Sequence, residues 1–238
     1  MTRGILIAGN ESSLFSAVAA EAAKRVESFA AALIPNRFPL PSAGTRPQGG
    51  TIPGLKGSIS LAWNQSSPIS ARSLILAAEN RLEKINDAIL ICSPPAVFKT
   101  VISITPEEIE ILVNDHIKGW FFLMRELALY FNRLGTGTLS LVAPESSPVG
   151  EKDSKGLKSS KNTQTDLLGS AASASFYSLA QGVLASSANE VFQVMGFTGN
   201  EAGAEEDFAS WLFKIIDAGA GNPAWHRYGK IGFFQKGR

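Results

Sequence analysis

Asp87-Ala88-Ile89-Leu90-Ile91-Cys92, stopped by Ser93-Pro94-Pro95, is an unbroken apolar run of strand length closed by a turn signal. A strand reads this way when helices cover both of its faces, because neither side then faces water. The signature recurs on either side of this run. Ile5-Leu6-Ile7-Ala8 ends in Gly9-Asn10, and Phe29 to Ile34 is stopped by Pro35. Gly57 to Ala62 reads as a third strand, Thr138 to Ala143 as a fifth and Val191 to Phe197 as a sixth. Lys230 to Phe234 is the candidate for a short last strand.

Helical patterns fill the gaps. Ser13 to Glu27 carries Leu14, Ala17, Val18, Ala22 and Val26 at near-helical spacing, and Pro68 to Lys84 precedes the run at Asp87. Thr105-Pro106-Glu107-Glu108 combines a cap, a first-position proline and a capping-box glutamate. The helix it starts is expected to run to about Leu134. Leu167 to about Ala188 is dense in Ala, Ser and Gly, which suits a helix packed closely on a neighbour, and Phe208 to Ala218 is a further helix. Strands alternating with helices imply parallel crossovers. The expected fold is α/β: a doubly wound, mostly parallel sheet of about seven strands with helices on both faces, Rossmann-like, as a single domain over 1–238. Residues 35–57, with five prolines and five glycines, and the polar, lysine-rich 144–166 are read as long loops.

The formal net charge of +1 on 238 residues offers no concentrated basic surface for nucleic acid or an anionic membrane. Cys92 is the single cysteine, and His116 and His226 are the two histidines, so no intrachain disulfide forms and no four-ligand Cys/His metal site is expected. The opening apolar run is too short for a signal peptide, and Glu11, Glu21, Lys24 and Arg25 follow it. No stretch approaches the ~20 apolar residues of a membrane span. A cytoplasmic protein is the expectation.

In a doubly wound sheet the ligand lies beyond the carboxyl ends of the strands, with phosphates at the first strand-to-helix turn. Here that turn is Gly9-Asn10-Glu11-Ser12-Ser13-Leu14-Phe15. Gly9 is its one glycine. Phe15 is expected to occupy space that a pyrophosphate-binding turn leaves open, and Glu11 adds negative charge. Gly9, Asn10 and Ser12, with Ser93 after the fourth strand and Arg37 after the second, are the candidate cofactor contacts. The structural alternatives are a plain turn and, for Arg37, a solvated loop arginine.

This order of elements resembles the short-chain dehydrogenase/reductase family over nearly the whole chain. Ala8-Gly9 match the opening of that family's Thr-Gly-x-x-x-Gly-x-Gly, while Ser13 and Phe15 stand at its later glycines. Ile91-Cys92-Ser93-Pro94 stands for Asn-Asn-Ala-Gly. His116-Ile117-Lys118-Gly119 resembles Asn-x-x-Gly with histidine for asparagine. Gly137 to Val142 matches the approach to the catalytic serine, but Ala143-Pro144 occupies its place. Tyr177-Ser178-Leu179-Ala180-Gln181 keeps the tyrosine of Tyr-x-x-x-Lys and replaces the lysine. Phe197-Thr198-Gly199 stands where the family has Pro-Gly.

The resemblance implies hydride transfer between a nicotinamide and a substrate whose oxygen exchanges a proton with the tyrosine. A phenol titrates near 10, and the family's lysine brings it toward neutrality. Gln181 can hydrogen-bond a ribose but carries no charge, and Ala143-Pro144 offers no donor to a developing oxyanion. Ser146 and Ser147 lie nearby in sequence. The leading expectation is therefore a dehydrogenase-like protein with eroded motifs, binding no cofactor and acting as an oligomeric structural or ligand-binding module for an unidentified small molecule. The alternative is a divergent reductase using NADH or NADPH, with Tyr177 as proton donor helped by Gln181.

His116 is a candidate acid/base by its near-neutral titration, or a packed core histidine. In the family the helices corresponding to 106–134 and 167–188 form a dimer interface, which implies a homo-oligomer through them. Trp120-Phe121-Phe122 and the small-residue face from Ala171 to Ala185 read as core, and Trp225-His226-Arg227-Tyr228 as an oligomer contact or rim.

Overall fold

Apolar runs become strands because each can bury both faces at once. In the computed structural model, which describes residues 3–34, 57–94, 96–143, 166–199, 203–219 and 223–229, five such runs and two edge strands join one parallel sheet. The strands are β1 (Ile5–Asn10), β2 (Phe29–Ile34), β3 (Ser58–Ser60), β4 (Asp87–Ile91), β5 (Thr138–Val142), β6 (Gln193–Thr198) and β7 (Ala224–Arg227). The helices are α1 (Ser13–Ala23), α2 (Pro68–Leu82), α3 (Pro106–Val113), α4 (Gly119–Leu134), α5 (Leu167–Ser186) and α6 (Glu205–Ala218). The sheet order is β3-β2-β1-β4-β5-β6-β7. Strand order reverses between β1 and β4, so the ligand crevice of such a sheet opens at their carboxyl ends.

The two-residue period of β1 divides the core. Leu6 and Ala8 face the layer of α2, α4 and α5, packed with Leu74, Leu123, Leu127, Phe176 and Ala180. Ile5 and Ile7 face α1 and α6, packed with Phe15, Val18, Phe208 and Leu212. No helix among the described residues is long and apolar enough to cross a membrane.

Three features differ from the sequence reading. The helix expected over 106–134 is interrupted by a π turn at Asn114–Lys118. Its wider turn lets two sequence neighbours, Asp115 and His116, both be buried. Gly119 follows because Gln65 presses on it: a Cβ there would lie 2.6 Å from the Gln65 Cβ. The last strand is Ala224–Arg227, paired to β6, whereas Lys230 to Phe234 lies outside the described residues. As an edge strand it carries no continuous apolar run. Trp225 packs on Gly196 instead, and His226 stacks on Phe197. Residues 225–227, read as part of an oligomer contact or rim, lie in this edge strand. Phe121, read as core, is half exposed.

Candidate functional site

Asn10 ends β1 and is 3% exposed. Its Oδ1 accepts the Ser93 backbone N–H at 2.9 Å, just beyond β4. A backbone N–H can only donate, so the amide's orientation is fixed. Its Nδ2 then faces His116 Nδ1 at 3.2 Å. That ring nitrogen accepts, which leaves the imidazole proton on Nε2 and the ring neutral. Ser12 Oγ donates to the Asn10 carbonyl at 3.3 Å. Four sequence candidates, Asn10, Ser12, Ser93 and His116, thus meet at the switch point. Gly9 adjoins them, and Arg37 lies outside the described residues.

The first turn of α1 is satisfied from within the chain. Ser12 caps the helix by accepting the Phe15 N–H at 3.1 Å. The Phe15 ring is 1% exposed and lies against Gly9, where a Cβ would meet its Cδ2 at 2.9 Å. The ring sits beneath the turn, in the core between strand and helix, rather than in the crevice. A glycine there would allow close packing of helix on strand; the phenyl ring acts as a spacer. Ser13 donates to Glu205 Oε1 at 2.9 Å, bringing a carboxylate of α6 to the start of α1. Hydrogen bonds with its own backbone, with Ser13 and with the Gly203 backbone hold that carboxyl below the ordinary range, so it stays ionised. The start of α1 is thus capped by its own serine and carries the Glu205 carboxylate on Ser13.

Tyr177 has a different partner. Its ring, half-buried on α5, stacks on Trp225 of β7 with centroids 4.8 Å apart and planes at 25°. Gln181, one turn on, is exposed. No hydrogen bond or ring contact among the described residues joins Tyr177 to the Asn10–His116 pair. Ala143, after β5, is buried and donates its N–H to the Phe197 carbonyl. Cys92 is buried too, and burial pushes its thiol up, so it is no nucleophile near neutrality.

The sequence reading missed the residues that fasten the crevice walls. Asp166 caps α5 through the Gly169 N–H and also accepts the Val97 N–H at 3.0 Å, tying the segment after β4 to α5. Its place before a helix start was a usable signal. Lys99 holds the buried Glu108 at 2.6 Å. Trp225 beneath Tyr177 and Glu205 beside Ser13 had no signal, since each comes from a distant element. Among the described residues, no cluster of three His, Cys, Asp or Glu side chains is placed to hold a metal ion.

No family model matches the sequence, and no curated protein matches it. Solved structures do resemble the fold. A short-chain dehydrogenase from Mycobacterium smegmatis aligns with a TM-score of 0.68 at 10% identity, over 95% of this chain and 92% of that one. The fold is that of the short-chain dehydrogenases. Another, from Rhodopseudomonas palustris, aligns with a TM-score of 0.67 at 12% identity, over 94% and 95% of the two chains. An NADH-dependent reductase solved with NAD gives 0.62 at 10% identity, over 89% of this chain and 87% of that one.

Proposed function

We propose that this chain uses the short-chain dehydrogenase fold without its hydride chemistry, as a self-associating structural or ligand-binding module. The observation that carries the reading is the Glu205 carboxylate bound to Ser13 at the start of α1, where a dinucleotide's phosphates would need open backbone and positive potential. Tyr177 supports it from the other side of the fold. Its ring is stacked on Trp225, and the position one turn on is an exposed glutamine with no charge to give. Any small-molecule ligand in the crevice would lie over the partly exposed Ser93, whose backbone the buried Asn10–His116 pair holds in place.

Titration with NADH and NADPH, followed by calorimetry, tests this directly. The expected result is no saturable binding in the micromolar range for either nucleotide. Micromolar affinity for one of them, with a turnover that Tyr177→Phe abolishes, would establish the divergent reductase instead.

A further inference from the structure

The amino ends of the strands, opposite the crevice, carry a cavity of their own. Arg3 before β1, Arg25 and Glu27 before β2, and Arg81 and Glu83 at the end of α2 line a space of about 460 Å³. That is the size of a small-metabolite site. Arg3 and Arg25 are already neutralised: Asp87 and Asp217 hold the first, Asp217 and Glu21 the second. Arg81, Glu27 and Glu83 are exposed and make no hydrogen bond or ion pair among the described residues, not even with one another.

Glu83 stands where other helices of this chain place glycine. α4 and α6 stop at Gly135 and Gly219, with φ of 70° and 65°, a conformation that glycine adopts freely. α2 stops at Glu83, with φ 63° and ψ −36°. Among the described residues it is the one non-glycine at positive φ. A Cβ there crowds the backbone, so a glycine would end the helix with less strain. No contact of the glutamate side chain offsets that strain, because it makes none. What the residue has is a place on the cavity wall, and strain of this kind gathers at ligand clamps.

The charges left without partners define what fits. They are one guanidinium and two carboxylates, beside the carboxyl ends of α1 and α2, whose dipoles favour a cation. A simple anion would meet both glutamates, and a simple amine would meet Arg81. We propose that this cavity binds a small zwitterion of the amino-acid class, with its ammonium between Glu83 and Glu27 and its carboxylate on the Arg81 fork. The site is separate from Asn10, Ser93 and His116, and it does not depend on the function proposed above.

NMR of the 15N-labelled protein tests the proposal, with glycine, L-glutamate and L-lysine as zwitterionic probes and acetate and methylammonium as the two halves. At least one amino acid should shift the amides of residues 3–4, 26–28 and 81–83 saturably, and neither half should do so at the same concentration. Arg81→Ala and Glu27→Gln should each weaken that binding by about tenfold or more. Glu83→Gly should weaken it equally while raising the melting temperature by about 2–4 °C, because the strained backbone relaxes. A residue kept for the fold alone would not separate the two readouts in that way. The absence of saturable shifts with all three amino acids up to ~20 mM would overturn the site. So would acetate binding as tightly as the best amino acid, which would make this an anion site. Glu83→Gly that binds undiminished, or that melts lower than wild type, would remove the glutamate's role and the proposal with it.

Discussion

Asp87 opens β4 and Ser93 follows its end, and the two ends of this strand are held by different means. At the amino end the buried Asp87 receives Arg3 at 2.5 Å. Arg3 and Arg25 both reach Asp217 at the end of α6, and Arg25 also binds Glu21 of α1 while lying over the Phe213 ring. Two helix ends and two strand starts are thus joined through side chains that stay partly in water. At the carboxyl end the Ser93 N–H, the Asn10 amide and the His116 ring form a neutral chain of hydrogen bonds. Charges suit the first place because water and several partners share their desolvation. In the second, Asn10 and His116 are almost wholly buried, and an unmatched charge there would have no such relief. Neutral, directional bonds fix geometry instead.

Breaking the charged end should have the largest effect. Arg3→Met leaves the Asp87 carboxylate buried without its cation, and since Arg3 is itself one-third exposed, a loss of about 2–4 kcal/mol in urea unfolding is expected. A loss of a few tenths would show that this network is only a surface contact. Asn10→Ala should cost about 1–3 kcal/mol, since it removes the acceptor of one N–H and the donor to a buried ring nitrogen. Nitrogen NMR of the wild type should find the His116 proton on Nε2; a proton on Nδ1 would mean that the amide–imidazole bond is not made.

The smallest effect sharpens the contrast through pH. Glu108, at the carboxyl end, is an exception to neutrality, and hydrogen bonds from Lys99 and then the Thr105 N–H hold its carboxyl below the ordinary range. A depressed folded value means that its stabilisation is complete above the unfolded value, near 4.3, and is lost as pH falls through the folded one. Thermal melts between about pH 5 and 3 should therefore fall more steeply for wild type than for Glu108→Gln. Parallel slopes would remove Glu108 from the account.

Much of this was legible in the residues. The runs at Ile5, Phe29, Asp87 and Thr138 are strands because a continuous apolar stretch of that length has no other way to bury both sides, and Thr105 to Glu108 carries its helix start in its own side chains. The grouping of Asn10, Ser12 and Ser93 followed from the switch point of such a sheet. The π turn was hidden, because Asn114 to Lys118 fits an ordinary helical period, and only burial of Asp115 beside His116 reveals the extra residue. β7 was hidden because an edge strand needs no apolar run.

By itself, the sequence determined the parallel sheet, the order of its elements and the loss of lysine, serine and turn glycines from the motifs it resembles. Those are properties of each segment or of each position. Tertiary structure alone decided that a carboxylate from α6 lies at the start of α1, that Tyr177 rests on Trp225, and that His116 accepts a hydrogen bond from Asn10. Each of these joins residues far apart in the chain, and no local pattern encodes which distant side chain will arrive.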